Sequence, residues 1–137
     1  MTTLIEDNML RSELAELQEI SRQWLLDLEY FGHDLKEFQK LLGKACYDNC
    51  SENLAALSEL LLRVAEIECA RLKIITSVTA HSKMIEPLME DLYSSIPLTL
   101  IKQQTSLENQ VNAVFKSYTT LKNDAFLLTS YEMKIAG

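Results

Sequence analysis

The fold is decided by residues 10–42, LRSELAELQEISRQWLLDLEYFGHDLKEFQKLL. Apolar side chains recur there at alternating steps of four and three residues, and nine of ten positions are apolar: Leu10, Leu14, Leu17, Ser21, Trp24, Leu28, Phe31, Leu35, Phe38 and Leu42. This spacing is typical of a heptad seam on one face of a helix. Since glycine is a common C-terminal stop, Gly43 predicts that this helix covers residues 8–42, with Gly32 as a weak point inside it.

The middle of the chain carries two parallel apolar lines. The main line is Leu54, Leu57, Leu61, Val64, Ile75, Val78, Ile85, Met89, Leu92 and Ile96, and the line beside it is Leu60, Ile67, Ile74 and Leu88. A helix with such a wide apolar face can contact two neighbours. Asn49 and Glu52 have the spacing of a capping box, which predicts that this helix begins near residue 50.

Pro87 interrupts this pattern. Proline has no amide hydrogen and its ring crowds the carbonyl of Lys83, so we expect the helix to kink or break there. The predicted elements are a helix over residues 50–85 and a short helix over residues 87–95.

The last third returns to a single seam, which predicts a helix over residues 98–135. Its positions are Leu100, Gln104, Leu107, Val111, Val114, Tyr118, Leu121, Ala125, Leu128, Glu132 and Ile135. Pro97 fits the first turn of this helix, whereas Thr105 with Glu108 forms an alternative capping box. With only 3 glycines and 2 prolines in 137 residues, the chain has little punctuation for strands. We predict one all-α domain over residues 1–137, an antiparallel bundle of three long amphipathic helices with coiled-coil-like packing.

The charge of the chain narrows the choice of partner. A net charge of −7 disfavours nucleic acid, which is bound by clustered Lys and Arg, and it disfavours anionic membrane surfaces. The acidity is concentrated in residues 1–97, so an electrostatically steered partner is expected to be basic there. The chain has no apolar run long enough for a membrane span, and its N-terminus is acidic. Both features predict a cytoplasmic protein.

The cysteines do not predict a disulfide framework, because Cys46, Cys50 and Cys69 are odd in number in a chain without a secretion signal. Cys46 and Cys50 are expected in the loop before the second helix, where a zinc site would need ligands from elsewhere. Cys69 is expected to be a small core residue.

The region around His33 carries the one chemical hint in the sequence. Glu29, His33 and Glu37 are four residues apart and could hold a metal ion, but they point away from the seam and are expected to be a solvated helix face. We therefore predict no metal ligand, no cofactor-binding residue, no catalytic residue and no small-molecule substrate.

Gly32-His33-Asp34-Leu35-Lys36 resembles the His-x-Leu-Lys core of histidine phosphotransfer domains, which are also acidic helical bundles. The resemblance implies that His33 carries a phosphoryl group and that Lys36 stabilises it. The family's motif continues with glycine directly after the lysine, whereas this chain has Glu37.

Glu68 and Arg71 interrupt the main line of the second helix. Two interpretations remain open: a mutual surface ion pair, or a buried polar layer that fixes the helix register.

Long helix faces favour an interaction function. We expect a non-enzymatic protein-interaction or self-assembly module, such as a scaffold, an adaptor or a small chaperone. Small acidic chaperones of bacterial secretion systems are similar in size and charge. The apolar stretch from residue 84 to 100 lacks an evident partner in the chain, so together with the Leu60 to Leu88 line it predicts a homodimer surface. The alternative function is phosphotransfer through His33.

Overall fold

A computed structural model describes residues 2–48, 54–90 and 96–136 of the chain. Three helices cover 98% of these described residues: α1 (Thr2–Asp48), α2 (Leu54–Glu90) and α3 (Leu98–Ala136). No strand occurs among them, α1 packs on α2, and α2 packs on α3. The prediction of an all-α bundle of three helices is confirmed.

The chain divides into two compact units, each containing a segment of all three helices. Unit 1 comprises Met1–Glu29 and Leu72–Val111, and unit 2 comprises Tyr30–Arg71 and Asn112–Gly137.

The core of unit 1 contains the cluster Leu14, Ile85 and Leu100, with one residue from each helix. Leu10, Leu17, Leu88, Met89 and Ile96 are partly buried and pack against this cluster. For its described residues, the expectation that residues 84–100 lack a partner in the chain is therefore wrong, because Ile85, Leu88, Met89, Ile96 and Leu100 pack in one cluster with Leu14 of α1.

Burial in α1 follows the predicted seam. None of its ten positions is exposed, and Leu14, Leu28, Phe31, Leu35 and Leu42 are buried. The polar exception, Ser21, is also buried, because its hydroxyl donates a hydrogen bond to the carbonyl of Leu17 at 3.0 Å. A serine that satisfies its own hydroxyl in this way can occupy a core position.

The predicted end of the first helix is wrong. α1 continues through Gly43 to Asp48, and no glycine in the described residues has a positive φ angle. A helix can absorb the cost of one glycine, about 1 kcal/mol, when its flanking turns are well packed. The predicted capping box of Asn49 and Glu52 lies outside the described residues.

α2 runs without interruption through Pro87 to Glu90, so the predicted separate helix over residues 87–95 does not begin at the proline. Pro87 and Lys83 are both exposed, which places the carbonyl that loses its partner on the solvent side of α2. Water can bind this carbonyl, so the chain loses one bond and keeps the helix.

The start of α3 agrees with the first of the two predicted possibilities. The backbone amide of Leu100 donates to the carbonyl of Pro97 at 3.0 Å, and that of Ile101 donates to the same oxygen at 3.4 Å. Pro97 thus caps the first turn, whereas Thr105 lies inside the helix and donates its hydroxyl hydrogen to the carbonyl of Ile101.

Candidate interaction site

His33 lies on the exposed face of α1 in unit 2, as do Lys36 and Glu37. Glu37 pairs with Lys40 at 3.4 Å, so its carboxylate turns away from His33 toward the next turn of the helix. Asp34, the middle residue of the motif, instead accepts a hydrogen bond from Tyr118. His33 and Lys36 are therefore exposed on α1, whereas Asp34 between them contacts α3.

The Glu29, His33 and Glu37 stripe faces outward, as the seam predicts. Within residues 2–48, 54–90 and 96–136, no three His, Cys, Asp or Glu side chains come together in a group that could hold a metal ion.

Two cysteine predictions are wrong. Cys46 lies inside α1, because the helix extends beyond Gly43, and Cys69 is exposed on α2 rather than buried in the core. Both thiols are free. The heptad frame explains the exposure of Cys69, since the neighbouring positions Ile67 and Arg71 turn inward. Cys50 lies outside the described residues.

Glu68 and Arg71 form a partly buried ion pair with two hydrogen bonds of 2.8 and 2.6 Å. The Arg71 side chain is 13% exposed, and hydrogen bonding to the Glu68 carboxylate raises the pKa of its guanidinium. A Cβ atom on Gly32 would lie 2.6 Å from the Arg71 guanidinium carbon. Gly32 therefore makes room for the guanidinium between α1 and α2, and the buried-layer interpretation describes this pair better than the surface one.

An aromatic cluster joins α1 and α3 in unit 2. The Tyr118 ring packs edge-on against Phe31 at a centroid distance of 4.7 Å and against Phe38 at 6.0 Å, and Phe115 lies 5.1 Å from Phe31. The Tyr118 hydroxyl donates to Asp34 at 2.5 Å. Burial raises the pKa of this hydroxyl, and the hydrogen bond to the carboxylate raises it further.

Unit 1 contains a buried polar layer that was not predicted from the sequence. His81 is buried, its Nδ1 lies 3.2 Å from Oε1 of Gln103, and its Nε2 lies 2.5 Å from Oε1 of Gln104. Nε2 of Gln104 and Oε1 of Gln18 are buried without a hydrogen-bond partner among the described residues. The residue spacing indicated a buried position for His81, because His81 continues the seven-residue spacing of Leu60, Ile67 and Ile74 toward Leu88.

In each helix, one residue of the polar layer lies one turn away from a residue of the apolar cluster. Gln18 follows Leu14 by one turn of α1, His81 precedes Ile85 by one turn of α2, and Gln104 follows Leu100 by one turn of α3. The polar layer thus stacks directly on the Leu14, Ile85 and Leu100 cluster.

The described cavities are open grooves along α2 and α3. The groove in unit 2 has a volume of about 520 Å³ and runs between Arg63 and Thr120, and the one in unit 1 has a volume of about 310 Å³ and includes His81. The groove in unit 2 includes Ala70 and Ser117 in its lining, and the groove in unit 1 includes Ser106.

Large exposed apolar side chains collect at one end of unit 2. α1 and α3 run parallel in this unit, since Phe31 meets Phe115 and Phe38 meets Tyr118. α2 runs antiparallel to them, since Arg71 lies beside Gly32 and the earlier residue Arg63 pairs with Asp124. The C-terminal parts of α1 and α3 and the N-terminal part of α2 therefore share one end. We call its six exposed residues the apolar end: Leu41, Tyr47, Leu54, Leu62, Phe126 and Leu127.

Most described residues of the predicted dimer surface are buried or partly buried within the chain. In the second line of α2, Leu60, Ile67 and Ile74 are buried and Leu88 is partly buried. In the stretch from residue 84 to 100, Met84 and Leu98 remain exposed, whereas Ile85 is buried. These lines face neighbouring helices because α2 contacts both α1 and α3.

No helix among the described residues combines the length and apolar character needed to cross a membrane. No family model, curated protein or solved structure matches this chain.

Proposed function

We propose that the protein is a non-enzymatic interaction module that binds a protein partner, either a further copy of itself or a different chain. The observation that carries this proposal is the apolar end of unit 2, where six large side chains are exposed across three helices. Contiguous exposed apolar surface is rare on monomers and commonly marks an interface. Two of the six residues, Tyr47 and Phe126, are aromatic, and aromatic side chains are favoured as interface anchors.

Rigid helices are a suitable base for such a surface. Leu57, Leu121 and Ala125 are buried in the same part of unit 2, and Arg63 pairs with Asp124 at 2.8 Å. The exposed side chains therefore project from a packed core, which limits the entropy lost on binding.

A capture experiment tests the proposal. The tagged chain, the variant Leu62→Glu/Leu127→Glu, and a control variant Leu72→Glu/Leu98→Glu in unit 1 are used as baits in lysate of the native cells. We expect a protein, including an untagged copy of the chain, that is retained by the wild type and the control but lost from the apolar-end variant. Identical retained proteins on all three baits would contradict the proposal.

A second candidate function is phosphotransfer through His33, favoured by the exposure of His33 and Lys36 on α1. Against this function, Glu37 replaces the glycine that follows the lysine in the family's motif, and its side chain adds bulk and a carboxylate, paired with Lys40, to the same exposed face of α1. Incubation with acetyl phosphate or a phosphorylated response regulator is expected to leave the chain unlabelled. Label on His33 that disappears in His33→Gln would make phosphotransfer the leading function.

A further inference from the structure

Contacts between α1 and α3 define the register of the face that these two helices share in unit 2. Asp34 on α1 lies 3.8 Å from Lys122 on α3, and Phe38 packs against Tyr118. Leu41 follows Asp34 by one heptad along α1, and Phe126 follows Lys122 by about one turn along α3. Because the two helices run parallel, we place Leu41 and Phe126 on this same α1/α3 face.

This α1/α3 face is apolar at its end and carries both signs of charge beside the apolar part. Leu41 is 66% exposed and Phe126 is 69% exposed. The side chains of Asp34 and Lys122 are both about half exposed, and the Lys122 ammonium also lies 5.0 Å from the centre of the Tyr118 ring. A patch that holds an acid and a base side by side is self-complementary, since a two-fold axis can bring each acid near the base of the second copy.

The distribution of charge favours self-association through unit 2. Unit 1 has eleven acidic and five basic residues, a net charge of −6, whereas unit 2 has nine acidic and eight basic residues, a net charge of −1. Two copies of unit 1 would repel each other, and two copies of unit 2 would not. A basic partner would instead be drawn to unit 1.

We propose that a second copy of this chain packs on the α1/α3 face of unit 2, forming a two-fold dimer with Leu41 and Phe126 as its apolar anchors. The proposal rests on the proposed interaction function and names its partner. It also moves the expected interface away from residues 84–100. Each anchor is buried twice in a two-fold dimer, so its replacement removes two contacts.

Sedimentation equilibrium of the purified chain tests this dimer. Leu41→Glu and Phe126→Glu are each expected to raise the dissociation constant at least about 30-fold, as loss of an interface anchor does. Leu98→Glu is the matched control, because Leu98 is 64% exposed but lies in unit 1, and it is expected to leave the dissociation constant unchanged. Leu41→Ser removes the anchor without adding charge and is expected to weaken pairing too.

Helical content and melting temperature from circular dichroism identify any variant that has lost its fold. Such a variant is replaced by Leu41→Ser for the comparison. A wild-type chain that is monomeric at all concentrations, or a dimer that Leu98→Glu dissociates while Leu41→Ser does not, would overturn the proposal. Capture of a different protein by a monomeric chain would leave the interaction function standing and refute only the dimer.

Discussion

At the residue scale, two glycines of α1 have opposite consequences. A Cβ atom on Gly43 would meet nothing within 4 Å, whereas one on Gly32 would meet the Arg71 guanidinium. We therefore expect Gly43→Ala to raise the free energy of unfolding by about 1 kcal/mol, the usual gain of alanine inside a helix. Gly32→Ala is expected to gain less or to destabilise, since Arg71 must move.

Urea unfolding of a double-mutant cycle measures this coupling. In an Arg71→Ala background, Gly32→Ala is expected to gain about as much as Gly43→Ala does in the wild type. Equal gains from both glycine substitutions in the wild-type background would show that Arg71 does not need the space above Gly32.

The buried hydroxyl of Tyr118 predicts a pH dependence. Its pKa is raised in the folded chain, so its contribution to stability is complete below the ordinary tyrosine pKa of about 10 and is lost as the pH rises above that value. At neutral pH, Tyr118→Phe is expected to lower the free energy of unfolding by about 1 kcal/mol, since its carboxylate partner Asp34 is half exposed.

Above pH 10 the difference in the free energy of unfolding between the wild type and Tyr118→Phe is expected to shrink, because loss of the phenolic proton stabilises the unfolded wild type. Tyr30→Phe is the control, because Tyr30 is exposed, and it should show neither effect. A constant difference between the wild type and Tyr118→Phe across this pH range would contradict the prediction. Urea unfolding at several pH values provides the measurement.

At the element scale, the polar layer of unit 1 is expected to cost stability. Replacing one member of a buried polar set leaves the others without partners, whereas replacing all of them with apolar residues removes the desolvation cost. His81→Leu is therefore expected to lower the free energy of unfolding by about 1–3 kcal/mol. Gln18→Leu/His81→Leu/Gln104→Leu is expected to be at least as stable as the wild type.

Guanidinium unfolding of both variants tests the layer. A triple variant less stable than His81→Leu would show that the layer supplies net stability, contrary to the prediction. A triple variant that is stable but no longer melts cooperatively would indicate that the layer selects a single packing of the core.

The sequence predicted the helices better than their ends. Heptad spacing identifies buried faces because it depends only on residues within one helix, and positions such as Leu28 and Leu121 are buried as expected. Gly43 and Pro87 misled the boundary predictions, because one glycine or one exposed proline costs a long, packed helix less than the remaining contacts contribute.

The candidate site was less predictable because it depends on contacts between helices. The seam predicted the outward position of His33. The close approach of Arg71 to Gly32 joins two helices, so no residue spacing within either helix indicates it. Likewise, the apolar line from Leu60 to Ile74 could face a neighbour in the chain or a second copy, and only the packing of α2 decides between them.

At the scale of the whole molecule, charge is distributed unequally between the two units. Most of the net negative charge lies in unit 1, whereas unit 2, which contains the apolar end, is nearly neutral. Large exposed apolar side chains occur in both units. Because like charges oppose self-association, unit 2 is the unit suited to pairing and unit 1 is the unit suited to a basic partner.

The mass of the wild-type chain in solution decides whether the chain pairs through unit 2. Sedimentation equilibrium at micromolar concentration is expected to give twice the chain mass of 15.7 kDa, falling toward a single chain on dilution. A mass of 15.7 kDa at every concentration would show that the chain does not pair.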